Sequence, residues 1–346
     1  MRPQFMKYSQ TGIVTIIASF VKIASFFTYY DGNRNGSKLL SHLQTHMHIL
    51  FVILMMYPFA DRPAEERKAT EKPSEVKFEL LLTDAVHAFY HADWVYSDSL
   101  LVELSGMEPN DARVHFFRSM IPFWSYFFGG NDPEYAGRFL EMSERAIKVS
   151  EERLKKAPSD TSMVLLLSGL YGYRSLVAAD QKEYRTAIRS GMTGFTYTRQ
   201  LLSLNTNDPN ALLGRGVFDY MTGSVPRELR WMTNMFGLSG SKEEGFKRLE
   251  EAASSNSYVS NDARMFLCYL YDRDGRYHDA LRVSKTLAED FPGNAIFRYY
   301  YAHSLEKTGD ITGAIDSYNM VLEMQKPELE SLRSKAEIKI KDLAGL

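Results

Sequence analysis

With 346 residues, 45% of them hydrophobic and 24% charged, the chain is long enough to bury a large core, and its composition is not that of a disordered protein. A formal charge of −2, with Lys, Arg, Asp and Glu mixed along the sequence, leaves no basic stripe and excludes a nucleic-acid-binding class on electrostatic grounds. A lone cysteine, Cys268, excludes an intrachain disulfide framework and a cysteine-rich zinc site.

The first 60 residues differ in character from the rest. Two apolar runs, "GIVTIIASFVKIASFF" at 12–27 and "ILFVILMMYPFA" at 49–60, flank the turn-like "DGNRNGSK". Lys22 interrupts the first run, and the second is too short to span a bilayer comfortably. Followed by "DRPAEERKATEKPSE", the second run suits an export signal and a polar start, with Met47 as an alternative initiator. An uncleaved hydrophobic anchor or hairpin is the other reading. Residues 1–60 are therefore expected to be a delivery device, and 61–74 a polar linker. The protein is expected to be exported to a periplasm or attached to a membrane through 1–60, with a cytoplasmic location as the alternative.

From residue 75 to 346 helical spacing dominates, and no alternating strand pattern competes with it. "DAVHAFYHADW" sets His87 and His91 one helical turn apart, with Asp84 about a turn further back, a spacing able to hold a metal or small ligand. The glutamate of a zinc-protease helix is missing, because Ala88 and Phe89 follow His87, and packing histidines are the plainer reading. The aromatic run "HFFRSMIPFWSYFF" at 115–128 reads as inter-helix core rather than a lipid or peptide pocket. Asp132 and Pro133 open a helix with apolar spacing through Phe139, Met142, Ala146 and Val149, which Pro158 ends. "DTSMVLLLSGLYGYRSLVAAD" and "KEYRTAIRSGMTGFTYTRQLLSL" form the next pair, and Asp208 with Pro209 opens another helix. "GRGVFD" at 214–219 lacks the third glycine of a dinucleotide fingerprint and "GLSGSK" at 237–242 lacks phosphate-loop spacing, so both read as close packing and a turn. Ser241 and Glu244 predict a capping box.

"YLYDRDGRYHDAL" at 269–281 could be taken for a calcium loop, but counting from Asp272 places Arg276 at a ligand position and Val283 where a glutamate is needed. The stretch instead superimposes on the one 34 residues downstream: Cys268 on Ala302, Gly275 on Gly309, Ala280 on Ala314. Small residues stand where paired helices approach closely, while Leu267, Tyr271, Tyr301 and Leu305 fill the seam. With Pro292 and Pro327 near the unit ends, units 261–294 and 295–327 resemble the tetratricopeptide repeat family, although Arg264 and Arg298 stand where that family usually has tryptophan.

The resemblance implies an all-α solenoid of helix-turn-helix repeats over 75–346, without catalytic residues or cofactors, that binds a protein or peptide in a concave groove. Carried over by repeat position, the groove residues are Asp262, Met265, Tyr269, Asp272 and Arg273 in one unit and Ile296, Tyr299, His303, Glu306 and Lys307 in the next. Upstream, Gly214, Gly216, Tyr220, Pro226, Gly237, Gly240, Gly245 and the run Leu249 to Ala252 are similar to the corresponding region of eukaryotic inclusion-body clearance proteins and bacterial tetratricopeptide proteins like them. That likeness supports a scaffold and brings no chemistry. The competing class is an enzyme or metal- or ligand-binding protein that uses the Asp84, His87, His91 face.

Overall fold

Aspartate is the commonest device by which this chain starts a helix. In the computed structural model, which describes residues 73–345 other than 205, 226–229, 232–238 and 258, six helices open on an aspartate side chain. The expectations for 1–60, most of the linker, Met47, Pro226 and Gly237 lie outside the described residues. Among the described residues there are thirteen α-helices and no strand, so the chain is all-helical.

In chain order the helices are α1 Pro73–Tyr90, α2 Trp94–Met107, α3 Ala112–Gly129, α4 Pro133–Lys156, α5 Thr161–Asp180, α6 Tyr184–Ser203 and α7 Pro209–Gly223. They continue as α8 Lys242–Ala253, α9 Val259–Arg273, α10 Tyr277–Asp290, α11 Ala295–Thr308, α12 Ile311–Glu323 and α13 Glu330–Ala344, the last preceded by a 3-10 turn, Pro327–Leu329. Helix α1 starts two residues before the expected Glu75, with proline at its first position, where the missing N–H costs nothing. Asp132 accepts the Glu134 N–H at 2.9 Å and Asp208 that of Asn210 at 2.9 Å, each ahead of a proline. Such a cap contributes about 1 kcal/mol.

Ser241 accepts the Glu244 N–H at 3.3 Å, but the predicted box is only half made. The Ser241 hydroxyl donates to the Glu243 carboxylate at 2.9 Å, while the Glu244 carboxylate lies toward Arg248. Arg248 is also paired with Asp219 on α7, and a basic partner one turn on draws Glu244 away from the helix start.

Neighbouring helices pack in pairs along the chain. The two stretches 34 residues apart have matching environments: Gly275 and Gly309 both end a helix with positive φ, 74° and 88°, while Cys268, Ala280, Ala302 and Ala314 are all buried. Between α7 and α8 the backbones touch. A Cβ on Gly216 would lie 3.0 Å from the Gly245 carbonyl oxygen, and one on Gly245 would lie 2.6 Å from the Tyr220 nitrogen. That contact is the physical reason for glycine in "GRGVFD", as close packing predicts.

Helix α3 forms the middle of the core. Most of its side chains are buried, and its rings reach five other helices: Phe117 and Trp124 meet Phe89 of α1, Phe123 meets Phe139 of α4 and Tyr173 of α5, and Trp124 meets Trp94 of α2 and Phe297 of α11. The ring centroids are 4.2–6.4 Å apart, the range in which aromatic pairs attract beyond simple burial. Helix α5 is the one described helix long and apolar enough to cross a membrane, and nearly all of it is buried against its neighbours, as a core helix would be.

The last helices return to the first. The Asn294 amide donates to the Tyr90 carbonyl at 2.7 Å and the Lys326 ammonium to the Ala92 carbonyl at 2.7 Å. The α3 terminus at Gly129 and Gly130 abuts Glu328 and Ser331, so α1 and α3 lie against the segments on either side of α11 and α12.

Candidate interaction face

Helices α9 and α11 each carry one of the expected aromatic residues, Tyr269 and Tyr299, and an Asp272–His303 contact joins the two helices. Tyr269 and Tyr299 are half-buried. Burial pushes the Tyr269 phenol up to about 12, and its hydroxyl is buried beside Arg273 without good hydrogen-bond geometry to it. Tyr299 packs edge-on against Tyr318 of α12 at 5.3 Å and against Tyr300 at 6.1 Å.

Beyond the tyrosines the face becomes ionic. His303 Nε2 is 3.2 Å from Asp272 Oδ1, an ion-pair contact when the ring is protonated, although its geometry falls outside a hydrogen bond. The other ring nitrogen is 3.9 Å from Glu306. Glu306 is itself held by Lys339 of α13 at 2.7 Å and by the Tyr318 hydroxyl at 2.9 Å. Burial alone would raise its carboxyl, but these two donors hold it below the ordinary glutamate value. Arg273 and Lys307 are exposed, the latter over the Tyr277 ring of α10 at 6.0 Å.

Of the ten predicted groove residues, Asp272, His303 and Glu306 are in contact, Tyr269 and Tyr299 are half-buried, and Arg273 and Lys307 are exposed. Met265 is half-buried on α9. Asp262 and Ile296, expected on the face, are buried. Both sit in the first turn of their helices, where Tyr90 of α1 and Tyr173 of α5 reach Asp262 and Trp124 of α3 reaches Phe297 beside Ile296. The Tyr90 hydroxyl hydrogen-bonds the Asp262 carboxyl, and beside Ile296 the Asn294 amide reaches the Tyr90 carbonyl. The groove positions expected in the first turn of each helix are therefore closed to solvent.

The competing face on α1 does not assemble as a triad. His87 and His91 are adjacent, with Nε2 atoms 3.3 Å apart, while Asp84 is exposed, and no group of three or more potential ligands occurs among the described residues. Cys268 is buried, and burial pushes its thiol up to about 12, so it stays a protonated packing group at neutral pH.

Two clusters carried no motif in the sequence. Tyr90, Tyr173 and Asp262 meet in the interior, from α1, α5 and α9; the Tyr173 hydroxyl and Asp262 Oδ2 have no hydrogen-bond partner among the described residues. Glu151 on α4 accepts from the Tyr171 and Tyr197 hydroxyls at 2.8 and 3.2 Å, beneath a stacked ring pair. In both cases the residues are scattered in sequence, and only packing brings them together.

No protein-family model matches the chain, and no curated protein matches it.

Proposed function

We propose that this chain is a non-catalytic interaction scaffold: a tetratricopeptide-like stack of helix pairs that takes an extended or helical peptide segment of a protein partner against the α9–α11 face. The observation that carries the reading is the Asp272–His303 contact between α9 and α11, two helices that each carry a half-buried tyrosine, Tyr269 or Tyr299, and an exposed cation, Arg273 or Lys307. Rigid aromatic rings offer contact area at small entropic cost, and flanking charges select orientation, which is how peptide grooves usually obtain affinity and register. The shared φ and burial of positions 34 residues apart favour the repeat reading.

Two variants test it together in a crosslinking pull-down from the native host: Tyr269→Ala with Tyr299→Ala, and the charge reversal Arg273→Glu with Lys307→Glu. The charge pair is exposed and should leave unfolding unchanged, so loss of the same captured protein in both variants supports the face. Undiminished capture by both removes it.

A further inference from the structure

The histidines at the end of α1 lie apart from the interaction face and have a geometry of their own. His91 is just past the last helical residue, yet its N–H still bonds to the His87 carbonyl at 3.0 Å, so the one-turn spacing survives the helix end. The two ring centroids are 4.4 Å apart and the two Nε2 atoms only 3.3 Å, so the rings converge on the side where Nε2 carries its lone pair or proton. Phe291 packs against both rings, with centroids 6.1 and 5.2 Å away, and backs them from the α10–α11 turn. His87 is exposed, which leaves the Nε2 pair a route to solvent.

We propose that His87 and His91 form a two-nitrogen site for a borderline divalent transition metal ion of the zinc, nickel or copper class, with water completing the coordination. Imidazole nitrogens bind zinc at about 2.0–2.1 Å, so two of them at a tetrahedral angle stand about 3.3–3.4 Å apart. The pair already has that separation before any ion binds, and little reorganisation is required. Imidazole-only donation selects this metal class over calcium or magnesium, which prefer oxygen. The competing account of the same distance is an N–H···N hydrogen bond, in which one proton occupies the place of the ion. The proposal does not depend on the interaction reading of the α9–α11 face.

Calorimetric titration of the full chain with Ni2+ or Zn2+ at pH 7.5, beside His87→Gln and His91→Gln, separates the two. Glutamine keeps a hydrogen-bonding group but is a poor ligand for these ions. His42, His46 and His48 could take metal independently, so the readout is a difference: each variant should bind one equivalent fewer than the parent. Saturating metal should also raise the unfolding temperature of the parent beyond any rise in either variant, because an ion held by the native fold stabilises it. Equal stoichiometry in parent and variants overturns the proposal and leaves the hydrogen bond. Loss of the equivalent in only one variant overturns the two-ligand geometry.

Discussion

Asp262 is the residue whose replacement reports most directly on the interior of this fold. It is 5% exposed, one of its oxygens has no partner, and burial pushes its carboxyl from the ordinary 3.8 up to about 7, with the Tyr90 hydrogen bond pulling only partly the other way. Its place in the first turn of α9 would ordinarily favour a negative charge, so desolvation outweighs the helix dipole here. Below 3.8 the group is protonated in both folded and unfolded chains and has no effect on stability. Between 3.8 and 7 the unfolded chain releases the proton while the fold retains it, and stability falls by about 1.4 kcal/mol for each pH unit. Above 7 both states are ionised and the penalty is constant, at most about 4 kcal/mol, reduced by any water that reaches the group.

Asp262→Asn keeps an acceptor for Tyr90 and cannot ionise. Other carboxyls, such as Glu306 and Asp279, are held below their ordinary values and lose stabilisation in acid, so the quantity to measure is variant minus parent at each pH. In urea unfolding followed by circular dichroism, the two proteins should coincide near pH 4. The variant should become progressively more stable toward pH 8, by up to about 4 kcal/mol. A difference that does not vary between pH 4 and 8, or a variant less stable at pH 8, would refute the placement of an ionisable carboxyl in this interior.

Four further substitutions probe the packing. Ala280→Leu or Ala314→Leu, each at a fully buried seam, should cost about 1–3 kcal/mol by overpacking, measured as a lower unfolding midpoint; an unchanged midpoint in both would remove the 34-residue register. Gly245→Ala should be destabilising by a comparable or larger amount, because its Cβ would meet the Tyr220 backbone at 2.6 Å, and a neutral result would mean that α7 and α8 can move apart freely. Asn294→Ala should cost about 2–3 kcal/mol, since one side chain caps Ile296 at 2.9 Å and satisfies the Tyr90 carbonyl at 2.7 Å; a loss of only the cap's ~1 kcal/mol would show that water replaces the second bond.

The devices legible in the sequence are local ones. Asp132 with Pro133 and Asp208 with Pro209 mark helix starts because a cap needs only residues two or three apart, and Gly275 and Gly309 mark helix ends because the left-handed turn favours glycine. The Gly216–Gly245 contact was legible as close packing but not as to partner. Where Ser241 failed to form a reciprocal box with Glu244, the competitor was Arg248, one turn away and tied to Asp219. The burial of Asp262 and Ile296 could not be read, because repeat position describes a helix and its neighbours in the stack. What meets Asp262 comes from Tyr90 of α1 and Tyr173 of α5, far from α9 in sequence.

That cover decides which turns of α9 and α11 are buried. The contacts that fix it gather at the turn before α11 and the turn after α12: Asn294 bonds the Tyr90 carbonyl, Lys326 bonds the Ala92 carbonyl, and Gly129 fits against Glu328. Closing so long a loop costs entropy that grows only slowly with its length, so a few buried bonds and the Trp124–Phe297 contact can hold it. Once held, Tyr90 of α1 and Trp124 of α3 lie against the first turns of α9 and α11, and burial there leaves Asp262 a carboxyl that resists ionisation. The later turns remain open, and they carry Tyr269, Tyr299, Asp272 and His303. The same closure that dries the first turns of α9 and α11 therefore leaves the half-buried tyrosines and the charged side chains to their later turns.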